Sequence, residues 1–287
     1  MPRTIGNPLS WLAAGALGAG REASVAADAM GSHATTPPVA RVLTQADINT
    51  ALQRGLADFA ALRSDVLVLI AIYPIIGITL ALLAFHTAQL PMLFPLAAGF
   101  TLLGPIVASG LYEMSRQREA GVESGWEGAF GVLRARVIGP VLVLGSYLLA
   151  LFVAWMFAAK FIYDITLGPL PPVSATGFLT DVLTTGPGWA MIVLGMGTGL
   201  IFAAVVLAMS LVSFPMLIDR RAGLPVAVMT SVAVTRKNPK IVATWGLIVA
   251  TTMTLGMLPA FLGLVIALPV LGHATWHLYR AAVPQDT

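Results

Sequence analysis

Two of the four histidines, His273 and His277, stand four residues apart in the run Gly272-His273-Ala274-Thr275-Trp276-His277-Leu278-Tyr279-Arg280. On a helix that spacing puts both imidazoles on one face, where a pair can hold a metal ion or the edge of a haem. A metal needs a further ligand, and Glu113 is the candidate carboxylate, because an internal similarity described below brings its segment alongside. The plainer account is that both imidazoles hydrogen-bond within a helix bundle or reach its polar rim. The lack of any Asp or Glu between Ile241 and Tyr279 favours it. Glu113 and Asp219 each end an apolar stretch beside arginine, Arg116 in one case and Arg220 with Arg221 in the other. Ionisable groups in membrane spans are functional suspects, but at the end of a span an ion pair is the simpler reading. No Gly-Lys-Ser/Thr phosphate loop, His-Glu-x-x-His or Gly-x-Ser-x-Gly elbow occurs. The chain has no cysteine, which excludes thiol catalysis and disulfides. We expect no catalytic residue, no metal and no other cofactor.

Composition decides what kind of element carries these residues. Of 287 residues, 57% are hydrophobic and 10% charged, against about 25% charged in soluble domains. Mean hydropathy is +0.87. A surface so poor in charge needs lipid to cover it. The expected fold is all-α: a polytopic membrane helix bundle with six transmembrane helices plus amphipathic surface helices. The spans fall at about 66–85, 92–113, 137–159, 189–218, 241–256 and 259–279. The fourth has 30 uncharged residues from Trp189 to Ile218, ~45 Å of helix. It must tilt, bend near Pro215, or project. Gly195, Gly199 and Ala203 within it are four apart, a spacing that lets another helix approach closely. Pro74, Pro105 and Pro269 are expected to kink spans one, two and six. Phe161 to Gly188 is the longest loop between spans. Residues 1–43, rich in Ala, Gly, Ser, Thr and Pro, are expected to be a disordered tail ahead of a membrane domain at 44–283.

Three segments, near 44–63, 122–136 and 222–237, are expected to be helices on the membrane surface, each leading into a hairpin of spans. In the first, Thr44 and Asp47 have capping-box spacing. Ile48, Leu52, Leu56 and Phe59 share a face there, with Arg54 and Asp58 away from it. In the second, Trp126, Phe130 and Leu133 share a face. This order gives a three-fold repeat at roughly 44–118, 122–221 and 222–283. A shift of 164 lays Gly99, Pro105, Tyr112 and Arg116 on Gly263, Pro269, Trp276 and Arg280. Six spans put both termini on one side. Fifteen of the sixteen Lys and Arg then fall on that side, with only Lys160 opposite. The positive-inside rule makes it the cytoplasm. Trp189, Trp276 and Tyr279 are placed to anchor at the interface. The basic rim suits anionic lipid, and without aromatic-interleaved basic clusters nucleic acid is no partner.

Further residues carry a resemblance. They are Pro95-Leu96-Ala97-Ala98-Gly99-Phe100, Gly104-Pro105, Gly110-Leu111-Tyr112-Glu113, Phe214-Pro215-Met216-Leu217-Ile218-Asp219-Arg220, Asn238-Pro239, and Leu268 to Arg280. From about Leu43 to Val283 the chain resembles the bacterial family called domain of unknown function 2189. The resemblance implies an integral membrane protein of the bacterial cytoplasmic (inner) membrane. Some members carry the label of a cytochrome c oxidase subunit. With His33, His86, His273 and His277 as its only histidines, this chain lacks the set a haem-copper catalytic subunit needs. The leading expectation is a non-enzymatic scaffold or accessory component of a membrane complex, with a respiratory oxidase as the candidate complex and the lipid bilayer and another membrane protein as partners. The alternative is a small-solute transporter or channel. Glu113, Arg116, Asp219, Arg220, Gly195, Gly199 and Trp276 are the expected structural and interface residues.

Overall fold

The computed structural model describes residues 37–70, 75, 77–79, 82, 90–122, 126–220 and 222–284. Half of the expected first span, Pro74 included, lies outside the described residues, as do residues 1–36 of the tail. Every regular element among the described residues is helical. In order they are α1 (Gln45–Ile70), α2 (Leu90–Leu102), α3 (Gly104–Glu119), a 3-10 helix (Trp126–Leu133), α4 (Ala135–Thr166), α5 (Ala175–Thr184), α6 (Gly186–Ser210), α7 (Ser213–Asp219), α8 (Leu224–Lys237), α9 (Pro239–Met257) and α10 (Leu264–Ala282). Among the described residues, four stretches are long and apolar enough to cross a membrane: Leu90–Glu119, Val137–Thr166, Gly186–Asp219 and Pro239–Met257.

Prolines and side-chain hydroxyls set several breaks. Pro105 sits in the first turn of α3, where its missing N–H costs nothing, and the one-residue interruption of the Leu90–Glu119 stretch at Leu103 falls just before it. The expected fourth span divides into α6 and α7 at Leu211-Val212. Pro215 cannot donate to Leu211, and its ring clashes with that carbonyl. The Val212 N–H is taken up instead by Ser231 Oγ at 3.1 Å, and Ser213 Oγ donates back to Met209. Pro269, by contrast, lies inside an unbroken α10, so the aligned pair Pro105 and Pro269 plays two different roles. α4 runs past Lys160 because Asp164 one turn on holds its ammonium at 2.5 and 2.7 Å. The expected loop after it carries α5, capped by Ser174 Oγ accepting from Gly177 N–H at 3.0 Å.

α10 is the centre of the bundle and packs on α1, α3, α7 and α9. Its residues Leu264, His273, Ala274, Trp276 and Tyr279 are fully buried. Trp276 and Tyr279 are therefore core side chains, not interface anchors; Trp189 is exposed.

Two expected surface faces are corrected by the structure. α1 does not lie free on a membrane: it packs along α10, burying Ile48, Ala51, Gly55, Asp58 and Leu62. Leu56, expected on the apolar face, is 55% exposed, and Asp58 is inside. The cause is close approach. A Cβ on Gly55 would lie 2.5 Å from the backbone nitrogen of Ala274, so Ala51 and Gly55 face α10 at the closest approach while Leu52, Leu56 and Phe59 flank the contact. In the second segment the helix is 3-10, with three residues per turn. That aligns Ala129 with Val132, which are buried, and turns Phe130 and Leu133 outward. The third segment is α8, an α-helix over the expected residues.

The arginine-rich ends converge. Arg118 reaches Ala57 O, Lys237 reaches Ala40 O, and Arg220 reaches Val283 O and Pro284 O. Asn238 accepts from Leu43 N–H at 2.7 Å and donates to Arg41 O at 2.9 Å. Residues 40–43, expected in the tail, are thus an ordered strap clamped by the α8–α9 corner. The Lys160–Asp164 pair belongs to the opposite end of α4 from Arg134.

Candidate functional site

The two histidines meet on one face as their spacing requires, and a residue from each of two other helices meets them. Ser115 of α3 lies between Asp58 of α1 and His273 of α10. Its Oγ is 2.7 Å from Asp58 Oδ2 and 2.7 Å from His273 Nδ1. His277 Nε2 donates to the same Asp58 Oδ2 at 2.9 Å, and Arg118 donates to Oδ1 at 3.0 Å. Ser115 has one hydroxyl proton. Given to the carboxylate, it leaves the serine lone pair to accept from His273 Nδ1–H. His273 Nε2 then carries a lone pair in the interior, where it is buried with no hydrogen-bond partner. Burial pushes the Asp58 carboxyl up, but the hydrogen bonds from His277 and Ser115 outweigh it. Its pKa is held below the usual carboxylate range. Proton order matters for chemistry. A nucleophilic serine gives its proton toward a histidine; here the hydroxyl is engaged by a carboxylate. The cluster is built as a staple between three helices.

Glu113 is not the carboxylate that joins the histidines. It is 2% exposed and bound by its own surroundings. Arg116 grips it with Nε at 2.8 Å and a terminal nitrogen at 2.7 Å, Gln117 donates at 2.7 Å, and Arg134 reaches it at 3.3 Å. Asp219 faces α10 instead of pairing mainly with its sequence neighbour Arg220. It accepts from Tyr279 Oη at 2.6 Å and Arg280 at 3.0 Å, with Arg220 at 3.7 Å. Arg280 also holds Glu119 with contacts of 3.0 and 3.1 Å. Trp276 donates its indole N–H to that Glu119 at 3.0 Å. Among the described residues no group of three or more His, Asp or Glu is arranged to hold a metal ion.

Of the small residues on α6, Gly199 is taken up inside the chain, since a Cβ there would sit 3.1 Å from the Trp155 ring. Gly195 has open space around it.

Two buried, mainly apolar helix ends joined by satisfied ion pairs, with long apolar helices beside them, are what a membrane-embedded bundle needs. Residues 92–219 match the family of predicted integral membrane proteins known as DUF2189. The match covers α2 through α7, so Asp58 and both histidines lie outside it, while Ser115, Glu113 and Asp219 lie within. No curated protein and no solved structure matches the chain.

Asp58, Ser115 and Glu119 were not singled out by sequence reasoning. One signal was available for Asp58: Ala51, Gly55 and Asp58 recur at helical spacing with Ile48 and Leu62, and small residues in such a row mark a tight helix contact.

Proposed function

We propose that the chain is a non-enzymatic membrane protein of six spans, acting as a scaffold or accessory component of another membrane complex, a respiratory oxidase being the first candidate. The observation that carries this is the pairing of its acids. Asp58, Glu113 and Asp219 are each neutralised by cations of the same chain, so the ionisable groups hold helices together. The uncovered apolar faces of α4 and α6, with Gly195 open, support a surface against which another membrane protein packs. A short helix ahead of two long ones occurs in the second and third proposed units, the 3-10 helix before α4 and α6 and α8 before α9 and α10, and this supports the repeat. The convergence of arginine-bearing ends supports both termini lying in the cytoplasm at a bacterial inner membrane.

Purification from native membranes in mild detergent, with identification of every co-purifying chain, tests the function. A stoichiometric membrane partner is the expected result. A chain that purifies alone, and that drives solute uptake when placed in liposomes, would replace this reading with the transporter. Reporter fusions after Ser174 and after Lys237 test the topology and should report opposite sides.

A further inference from the structure

Beside the staple, where the start of α1 meets the end of α10, a cleft of about 360 Å³ opens. Its size is within the range of small-ligand sites, roughly 300–1,000 Å³. Arg41, Thr50, Arg54, His277 and Arg280 line it together with Asp47 and Glu119. The two acids are already engaged. Asp47 accepts from Arg41 at 2.9 Å and from the Thr44 backbone and hydroxyl at 2.7 Å, and Glu119 is held by Arg280 and Trp276. Arg54 makes no hydrogen bond or ion pair among the described residues. Thr50, one turn away on the same face of α1, likewise has a free hydroxyl. Three arginines against two carboxylates leave the cleft with one positive charge in excess before His277 is counted.

We propose that this cleft binds a phosphate-bearing anion, with Arg54 as its principal contact and Thr50 and His277 beside it. A guanidinium presents a planar fork of donors that matches phosphate oxygens. The cleft lies at the end of the bundle where the arginines converge, and basic pockets between helices at that level take phospholipid headgroups. A lipid headgroup and a soluble phosphate monoester share this chemistry. Either would tie α1 to α10 and to the strap through Arg41, and would press on His277, whose other side holds Asp58. The anion is thus bound across the same helices that the staple joins.

The test uses the full chain in neutral detergent and follows the thermal unfolding midpoint. It is titrated with short-chain phosphatidylglycerol, glycerol 3-phosphate and, as the uncharged control, a short-chain diacylglycerol. The expected result is a rise with one or both phosphates and none with the diacylglycerol. A rise with phosphatidylglycerol alone assigns the headgroup; a rise with glycerol 3-phosphate too assigns a soluble monoester site. Arg54→Gln should weaken the apparent affinity about tenfold, while Arg236→Gln, an exposed arginine on α8, should leave it unchanged. Arg54 is exposed, so the unliganded midpoint of its variant should match the wild type; Thr50→Val serves as a second, uncharged variant and should weaken binding less. No rise with either phosphate, an equal rise with diacylglycerol, or equal affinities in wild type and Arg54→Gln would overturn the proposal.

Discussion

α10 and α6 are both long helices without an acidic residue, yet they live in different surroundings. Thirteen of the nineteen residues of α10 are buried, against three of the twenty-five of α6. α10 has protein on nearly every side, and it carries two histidines, a tryptophan, a tyrosine and an arginine whose polar atoms, His273 Nε2 apart, are met by α1, α3 and α7. α6 carries almost no polar group, because its outer faces have no protein partner to satisfy one. A polar side chain in a membrane helix is affordable only where another helix answers it. The distribution of polar groups along these two helices therefore records which has protein neighbours.

The sharpest way to break that contrast is to add one methyl group to each side. At Gly55 a Cβ would be 2.5 Å from the Ala274 nitrogen and 2.7 Å from its Cα, both backbone atoms that cannot rotate away. Gly55→Ala should cost about 3 kcal/mol as α1 is pushed from α10, read as a fall in the thermal midpoint and in yield of folded protein. At Gly195 nothing lies within 4 Å. Gly195→Ala should be neutral or stabilise by up to about 1 kcal/mol through helix propensity. Equal losses at both positions would mean that α6 is as tightly packed as α10.

Next in size is the staple. Asp58→Ala leaves His277, Ser115 and Arg118 without their common acceptor, and Arg118 is partly solvated. The expected loss is about 2 kcal/mol, and Asp58→Asn should recover part of it. The pH dependence follows from the lowered Asp58 pKa. A carboxyl whose folded pKa is depressed stabilises fully above its unfolded value, near 3.9. That stability is lost as pH falls through the lower folded value. Unfolding midpoints should drop in acid below about pH 4 in the wild type, and the Asp58→Asn variant should lack that part of the drop.

The smallest effect is expected for the histidines. Replacing His273 and His277 with Asn should cost on the order of 0.6 kcal/mol each, the mean for such bonds between membrane helices. Both variants should remain folded. Stoichiometric metal or haem present in the purified wild type and absent from the double variant would instead make the pair a ligand site.

Much of the helical plan was legible because hydropathy and charge mark it directly. The spans expected near 137–159, 189–218 and 241–256 correspond to α4, to α6 with α7, and to α9. Boundaries moved where a local interaction overrode the marker: Asp164 lets α4 continue through Lys160, and Ser231 stabilises the break before Pro215. The site was legible only in half. His273 and His277 announce themselves by type and spacing, but their partners come from positions 58 and 115, and no local pattern in one chain joins those to 273. Asp58 was placed outside because the larger residues Leu52, Leu56 and Phe59 suggested the buried face. In tight helix contact the small residues decide, and Ala51 with Gly55 turned the helix so that Asp58 came in.

The clamp and the staple also set a schedule. Leu43 waits for Asn238, 195 residues later, and Asp58 waits for His277, 219 residues later. At about 5–20 residues per second the ribosome takes roughly 10–40 s to supply the last helix. Throughout that interval α1 has been made, its carboxylate has no imidazole, and the groove beside Gly55 is empty. Docking of α1 therefore waits for the 19 residues of α10, and a chain stopped short of α10 would offer quality-control proteases an undocked α1.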